Sequence, residues 1–185
     1  MNTSFSYFNA PISNKTPDCD INIRSLHRFI TTHPQLKEAT ERVRAELPDK
    51  KRYAYAKTHL LPYVTPGGHF AVRSRQGLTL PSGLFVIDLD HLGSFEEACR
   101  LRDALAADRN LGAQLCFVSP GRCGVKAFVP IRIHAHLTVE QSLEMALEGY
   151  WSYIELAYGV KPDDANKDIS RACLLCHDPE AKLCV

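Results

Sequence analysis

The chain lacks any long apolar run. No stretch approaches the ~20 residues that a membrane span requires. The opening MNTSFSYFNAPISNK has neither the basic n-region nor the apolar core of a signal peptide. A cytoplasmic chain with no membrane partner is therefore expected. A dominant charge is also missing: 22 Lys and Arg against 21 Asp and Glu leave a formal net charge of +1. Attraction to nucleic acid must then come from local clusters rather than from the field of the whole molecule. There is no even set of cysteines. The seven, at 19, 99, 116, 123, 173, 176 and 184, lie mostly in apolar surroundings, and in a reducing compartment they read as small buried hydrophobes. Internal repeats and low-complexity tracts are absent.

What is present suffices for one packed domain, with 185 residues and 45% hydrophobic content. Residues 1–20 are polar and Pro-containing, with at most a short strand at SYFNAPI. Helical patterns follow at about 22–31 and 35–46, with Pro34 suited to a first helical turn and Pro48 closing the second pattern. The Pro- and Gly-rich segment LPYVTPGGHFAVRSRQGLTLPSG reads as loop and hairpin, with a strand at 69–74. Beyond it the periodicity predicts a strand at 84–90, then a helix over SFEEACRLRDALAAD behind a Ser94/Glu97 capping box. A hairpin of strands at 113–119 and 125–133 is joined by the turn PGRCG. A long helix at 138–157 starts at Thr138 and Gln141, and RACLLC (171–176) forms a last strand. The order β-α-β-β-α-β is the ferredoxin-like or RRM-like α+β plan, a four-stranded sheet backed by two helices. A helical N-terminal region (1–60) would precede this core (61–185) within one compact unit.

Candidate chemistry concentrates in LFVIDLDHL. Asp88 and Asp90 interrupt an apolar strand, and strand residues two apart share a face. Their carboxylates would repel unless a cation sat between them. In this topology the PGRCG turn can face the same surface. Gly121 and Gly124 let backbone approach a phosphate, Arg122 is a bidentate phosphate partner, and Lys126 follows on the strand. A carboxylate pair beside a Gly/Arg/Lys loop is what metal-assisted nucleotidyl transfer requires. The plain alternative is a strand end and a hairpin turn. The run DKKRYAYAKTH interleaves Lys50, Lys51, Arg52 and Lys57 with Tyr53 and Tyr55. That mixture suits phosphate and base stacking, but for a charge run this short a solvated helix face is the favoured reading.

The segments LPYVTPGGHF, SGLFVIDLDHL, FVSPGRCGVKAFVPI and DISRACLLCHDPE resemble, in order and spacing over about residues 55–180, the BT4734-like or VirE N-terminal-like domain of bacterial mobile-element proteins. That domain is similar to the archaeo-eukaryotic primase (prim-pol) superfamily. The resemblance implies a primase or polymerase-like role in DNA replication, with Mg²⁺ or Mn²⁺ held by Asp88 and Asp90. Ser119, Gly121, Arg122, Gly124, Lys126 and Arg171 would lie at the nucleotide. For the third acid PDDANKDISR offers Asp163, Asp164 and Asp168, of which Asp163 and Asp168 are the candidates. Lys126 stands where the superfamily has histidine. Implied partners are nucleoside triphosphates, single-stranded DNA or a primer-template, and a helicase domain or separate helicase. Arg171 would meet phosphate or template, or pair with Asp168.

Two other readings use the same residues. A non-catalytic nucleic-acid-binding module would keep the sheet without the chemistry. A haloacid-dehalogenase-type phosphohydrolase would use Asp88 as nucleophile, Asp90 as acid, Lys126 and the Asp163-Asp164 pair, but would need βαβ crossovers where 113–133 reads as a hairpin. CLLCH at 173–177 matches a haem-attachment spacing, yet without export and without a second C-x-x-C or H-x₃-H it reads as a buried strand and turn. Of the histidines, only His91 beside the D-x-D attracts attention.

Overall fold

The computed structural model describes residues 3–162 and 167–184. Its central element is an antiparallel sheet in which β6 (Leu84–Leu89) pairs with β8 (Val125–Pro130) and β8 with β7 (Leu115–Val118). The apolar run of the sequence explains β6, whose first four residues are all buried. Both faces of this sheet are covered, and that is why alternation between apolar and polar residues is absent. On one face Ile87, Leu89, Cys116, Val118, Val125 and Ala127 meet α4 (Phe95–Ala107) and the end of α5 (Val139–Tyr158). On the other, Leu84, Val86, Leu115, Phe117 and Phe128 meet residues from the N-terminal region and the chain's last segment.

The expected capping signals operate. Ser94 accepts from the Glu97 N–H at 3.1 Å, and Thr138 and Gln141 form a reciprocal box. Gly159, at φ +66°, ends α5 in the left-handed conformation that favours glycine.

The N-terminal region is more than helices. β1 (Ser4–Phe8) and β2 (Cys19–Asn22) precede α1 (Ile23–Thr32), α2 (Pro34–Ala45) and α3 (Lys50–Leu60). β1 then pairs with β3 (Tyr63–Thr65), in a second sheet of order β2-β1-β3-β9. The predicted 69–74 strand is the shorter β4 (Gly68–Phe70), in a hairpin with β5 (Leu78–Pro81).

The predicted last strand differs most. Only Cys173–Leu174 (β9) is extended, and it pairs with β3 rather than closing the central sheet. The fourth place beside β7 goes instead to β10 (Lys182–Leu183). The fold is thus mixed α+β with antiparallel sheets, sharing the β6-α4-β7-β8-α5 order with the expected plan. β6 and β7 each pair antiparallel with β8, which lies between them, and β7-β8 is the expected hairpin rather than a further βαβ crossover, which counts against the phosphohydrolase reading. Among the described residues no helix is long and apolar enough to cross a membrane.

Candidate functional site

Register creates the centre of the site. Asp88 on β6 lies directly opposite Lys126 on β8. Directly opposed cross-strand residues hold their Cβ atoms about 4.5–5.5 Å apart, and the Lys126 ammonium donates to Asp88 Oδ2. Arg171, just before β9, donates to the same oxygen at 3.5 Å. These side chains are nearly out of water, 12% exposed for Asp88 and 10% for the two cations. Burial alone would lower the Lys126 ammonium, but the Asp88 charge and hydrogen bond raise it above its ordinary value and keep it protonated. Among the described residues, Asp88 Oδ1 is buried without a hydrogen-bond partner.

Asp90 lies two residues on, at the mouth of the site. Burial of its carboxyl and repulsion by Asp88 push it above its ordinary value, against the attraction of Lys126, Lys57 and His91. An orphaned carboxylate oxygen beside a second, repelled carboxylate is a donor set that a divalent oxygen-seeking cation satisfies. Asp88 and Asp90 therefore fit Mg²⁺ or Mn²⁺. Among the described residues, however, no three His, Cys, Asp or Glu side chains gather as a metal site. Asp163 and Asp164 lie outside the described residues. Asp168 is engaged elsewhere: its carboxylate accepts from the Ser170 N–H and hydroxyl at 2.8 and 2.9 Å and pairs with Arg75 at 3.1 Å. Burial opposes these contacts, but they hold its carboxyl below the ordinary value. Arg171 reaches Asp88, whereas the ion-pair partner of Asp168 is Arg75.

The PGRCG loop shares this surface. The Ser119 N–H donates to Gly124 O at 2.8 Å and the Arg122 N–H to Ser119 O at 3.0 Å, closing the turn, while the Leu92 N–H donates to Cys123 O at 3.0 Å and joins the D-x-D segment to it. The approach at Gly124 requires glycine. A Cβ there would stand 2.5 Å from Asp90 Oδ1 and 2.9 Å from both Leu89 O and Ser119 Oγ. Arg122 turns aside, its guanidinium 5.4 Å from the Phe95 ring centroid. Next to Asp90, a cleft of about 700 Å³ is lined by Asp90, His91, Glu97 and Lys161 among others.

Three site residues come from the N-terminal helices, and sequence reasoning did not place them here. Arg44 of α2 donates from Nε to Pro120 O at 3.2 Å. The Tyr53 hydroxyl of α3 packs on Gly121, where a Cβ would come within 2.9 Å of it. Burial, followed by the charges of Cys176 and Asp90, pushes the Tyr53 hydroxyl up to about 12. Lys57, four residues on and so on the same helix face, lies 5.4 Å from the Tyr53 ring centroid. The available signal was the basic-aromatic run itself, but composition does not tell which stripe of the helix faces inward.

CLLCH is structural. Cys173 and Cys176 are fully buried, and burial pushes both thiols up to about 12. Cys176 Sγ donates to Val118 O at 3.1 Å, and His177 Nδ1 lies 2.9 Å from Ile30 O. The following Asp178 accepts from the Val118 N–H at 2.8 Å and pairs with Arg102 at 3.4 Å, a buried tie that the sequence did not suggest.

No curated protein and no solved structure matches the chain. The family model for the BT4734-like, N-terminal domain matches residues 55–182, spanning the D-x-D strand, the PGRCG loop, Lys126 and Arg171, and the chain belongs to that family.

Proposed function

We propose that this chain is a primase- or polymerase-like module of a mobile-element replication protein, carrying out metal-dependent nucleotidyl transfer at Asp88 and Asp90. The observation that carries the reading is the buried, unpartnered Asp88 Oδ1 beside a carboxylate that Asp88 itself repels. Asp88 and Asp90 would hold Mg²⁺ or Mn²⁺, which when bound supplies Lewis-acid polarisation of phosphate oxygens and of an attacking hydroxyl. The chain's own contribution is positioning and charge. Lys126 and Arg171 offset the negative charge that accumulates where a triphosphate meets two carboxylates, and Arg122 can swing from Phe95 toward phosphate. Ser119 and Gly124 shape the turn so that phosphate can approach closely. The cleft beside Asp90 gives a nucleotide room. A cytoplasmic setting with nucleoside triphosphates, a single-stranded or primed DNA and a helicase as partners accompanies this reading.

A second reading has its own support. The Lys126 ammonium already serves Asp88 Oδ2 as a built-in cation, which is what a nucleic-acid-binding module that had dispensed with metal would retain. Mn²⁺-dependent incorporation of labelled nucleotides on a single-stranded template separates the two. Incorporation by the wild type that is lost in the Asp88→Asn, Asp90→Asn double variant is the expected result. No incorporation by the wild type, with DNA still bound, would leave the binding module standing alone.

A further inference from the structure

α3 has two working faces, and only one belongs to the site described above. At about 100° per residue, Tyr53 and Lys57 form a stripe toward the PGRCG loop. Lys51, Tyr55 and His59, spaced by four, form a stripe on the opposite side. The helix holds three lysines and one arginine and no acidic residue, and Ala56 is its one buried residue. Tyr55 is 65% exposed, an unusual exposure for a large aromatic, and its ring is held flat against His59 with centroids 3.8 Å apart and planes 18° from parallel. Beside it, between α2 and α3, a groove of about 590 Å³ is lined by Arg42, Lys51, Arg52 and Tyr55, with Ala56 at its floor. The groove's one acid, Glu46, faces Arg52 at 3.8 Å, leaving a cationic surplus. A pre-formed aromatic shelf rimmed by cations is the arrangement that binds unpaired bases by stacking and their backbone by charge.

We infer that the α2–α3 groove is a single-stranded nucleic-acid platform, on which a base stacks on the Tyr55–His59 shelf while Arg42, Lys51 and Arg52 meet the backbone. This rests on the proposed nucleotidyl-transfer reading only for its purpose, delivery of a template strand toward Asp88 and Asp90. The cationic rim and the exposed ring together fit a single strand. An acidic protein segment would use the cations but not the exposed ring.

The test is fluorescence-anisotropy binding of a labelled oligothymidylate to the full chain over a salt series. Tyr55→Ala weakens binding by roughly tenfold, as expected for loss of one stacked base, and Tyr55→Phe restores it. The Arg42→Gln, Lys51→Gln, Arg52→Gln triple variant lowers the slope of log K against log salt by about 2, at about 0.7 per phosphate contact on a single strand. Mn²⁺-dependent binding of a fluorescent nucleoside triphosphate stays unchanged in all of these variants and is lost in Asp88→Asn, so a failure of the platform is distinguishable from a failure of the acid site. The platform is overturned if the wild type does not bind the oligonucleotide, or if Tyr55→Ala and the triple variant bind it as the wild type does. It is equally overturned if polyglutamate competes fully and Tyr55→Ala has no effect, which would assign the groove to an acidic partner.

Discussion

Lys126→Met probes the centre of the site directly. The substitution keeps the length and apolar stem of the side chain and removes the ammonium that serves Asp88 Oδ2. Asp88, only 12% exposed, is then left with Arg171 at 3.5 Å as its remaining described ion-pair partner and with Oδ1 still unpartnered. Removing one member of a buried ion pair costs about 3–5 kcal/mol, because the other charge stays buried. Since Arg171 is retained, the lower end applies, about 3 kcal/mol. With a urea slope of about 1–3 kcal/mol per molar, the midpoint should fall by at least about 1 M. The midpoint can be followed through the single tryptophan, Trp151 in α5. Adding Asp88→Leu to Lys126→Met should recover part of the loss, because it removes the carboxylate left undercompensated in the buried site at the cost of the Arg171–Asp88 contact. A Lys126→Met protein with the wild-type midpoint, or a double variant that loses the sum of the two single losses, would refute the idea that these groups are buried and coupled.

Other expectations follow from neighbouring residues. The Asp90 carboxyl is raised in the folded protein, so its contribution to stability is present below its unfolded value of ~3.9 and is lost as pH rises through the folded value. Asp90→Asn should therefore raise stability at pH 7 by under about 1 kcal/mol, since solvent at the mouth of the site screens this partly exposed carboxyl, with the gain vanishing in melts below about pH 3; an unchanged or lowered melting temperature at pH 7 would contradict this. The raised Lys126 ammonium works in the same sense but in an alkaline window: its contribution holds below ~10.4 and fades only as pH climbs through its higher folded value, so alkaline unfolding should begin earlier in Lys126→Met, which lacks that contribution. Gly124→Ala should cost about 1–3 kcal/mol, as overpacking does, and weaken Mn²⁺ binding by displacing Asp90, readable by electron paramagnetic resonance. Arg102→Met should cost about 2–3 kcal/mol in urea unfolding while leaving nucleotide binding intact, since Asp178 keeps the Val118 and Glu180 N–H donors but loses its buried cation.

The parts of this molecule that could be read from its sequence are those whose signal is local. β6 announces itself through LFVI and the two acids. α4 and α5 are marked by Ser94 and Thr138, and the hairpin by apolar strands flanking PGRCG. Even there, detail differs: Glu97 accepts from the Gly93 N–H at 2.8 Å, one residue before the cap. What could not be read depends on distant pairing. β9 and β10 are two residues each, too short to show a period, and their partners lie far off, as Tyr63 does from Leu174. The same limit applied to Lys126. Its type and position suggested phosphate, whereas its register opposite Asp88, which turns it into an ion-pair partner, is a property of the assembled sheet. Asp168 looked like a third acid because of its place ahead of the last strand, but its local turn with Ser170 and the remote Arg75 claim both its oxygens.

The contacts of Arg44 and Tyr53 with the PGRCG loop bear on where this protein can be cut. The family match begins at residue 55, inside α3. A fragment trimmed to that boundary would split the helix and discard Arg44 and Tyr53. It would also lose β1, the strand that lies between β2 and β3 and buries Phe5 against Phe128. The family match and the packed core are thus of different lengths, and a fragment chosen by homology alone would present its acid pair on a sheet that had lost the N-terminal part of one of its two coverings.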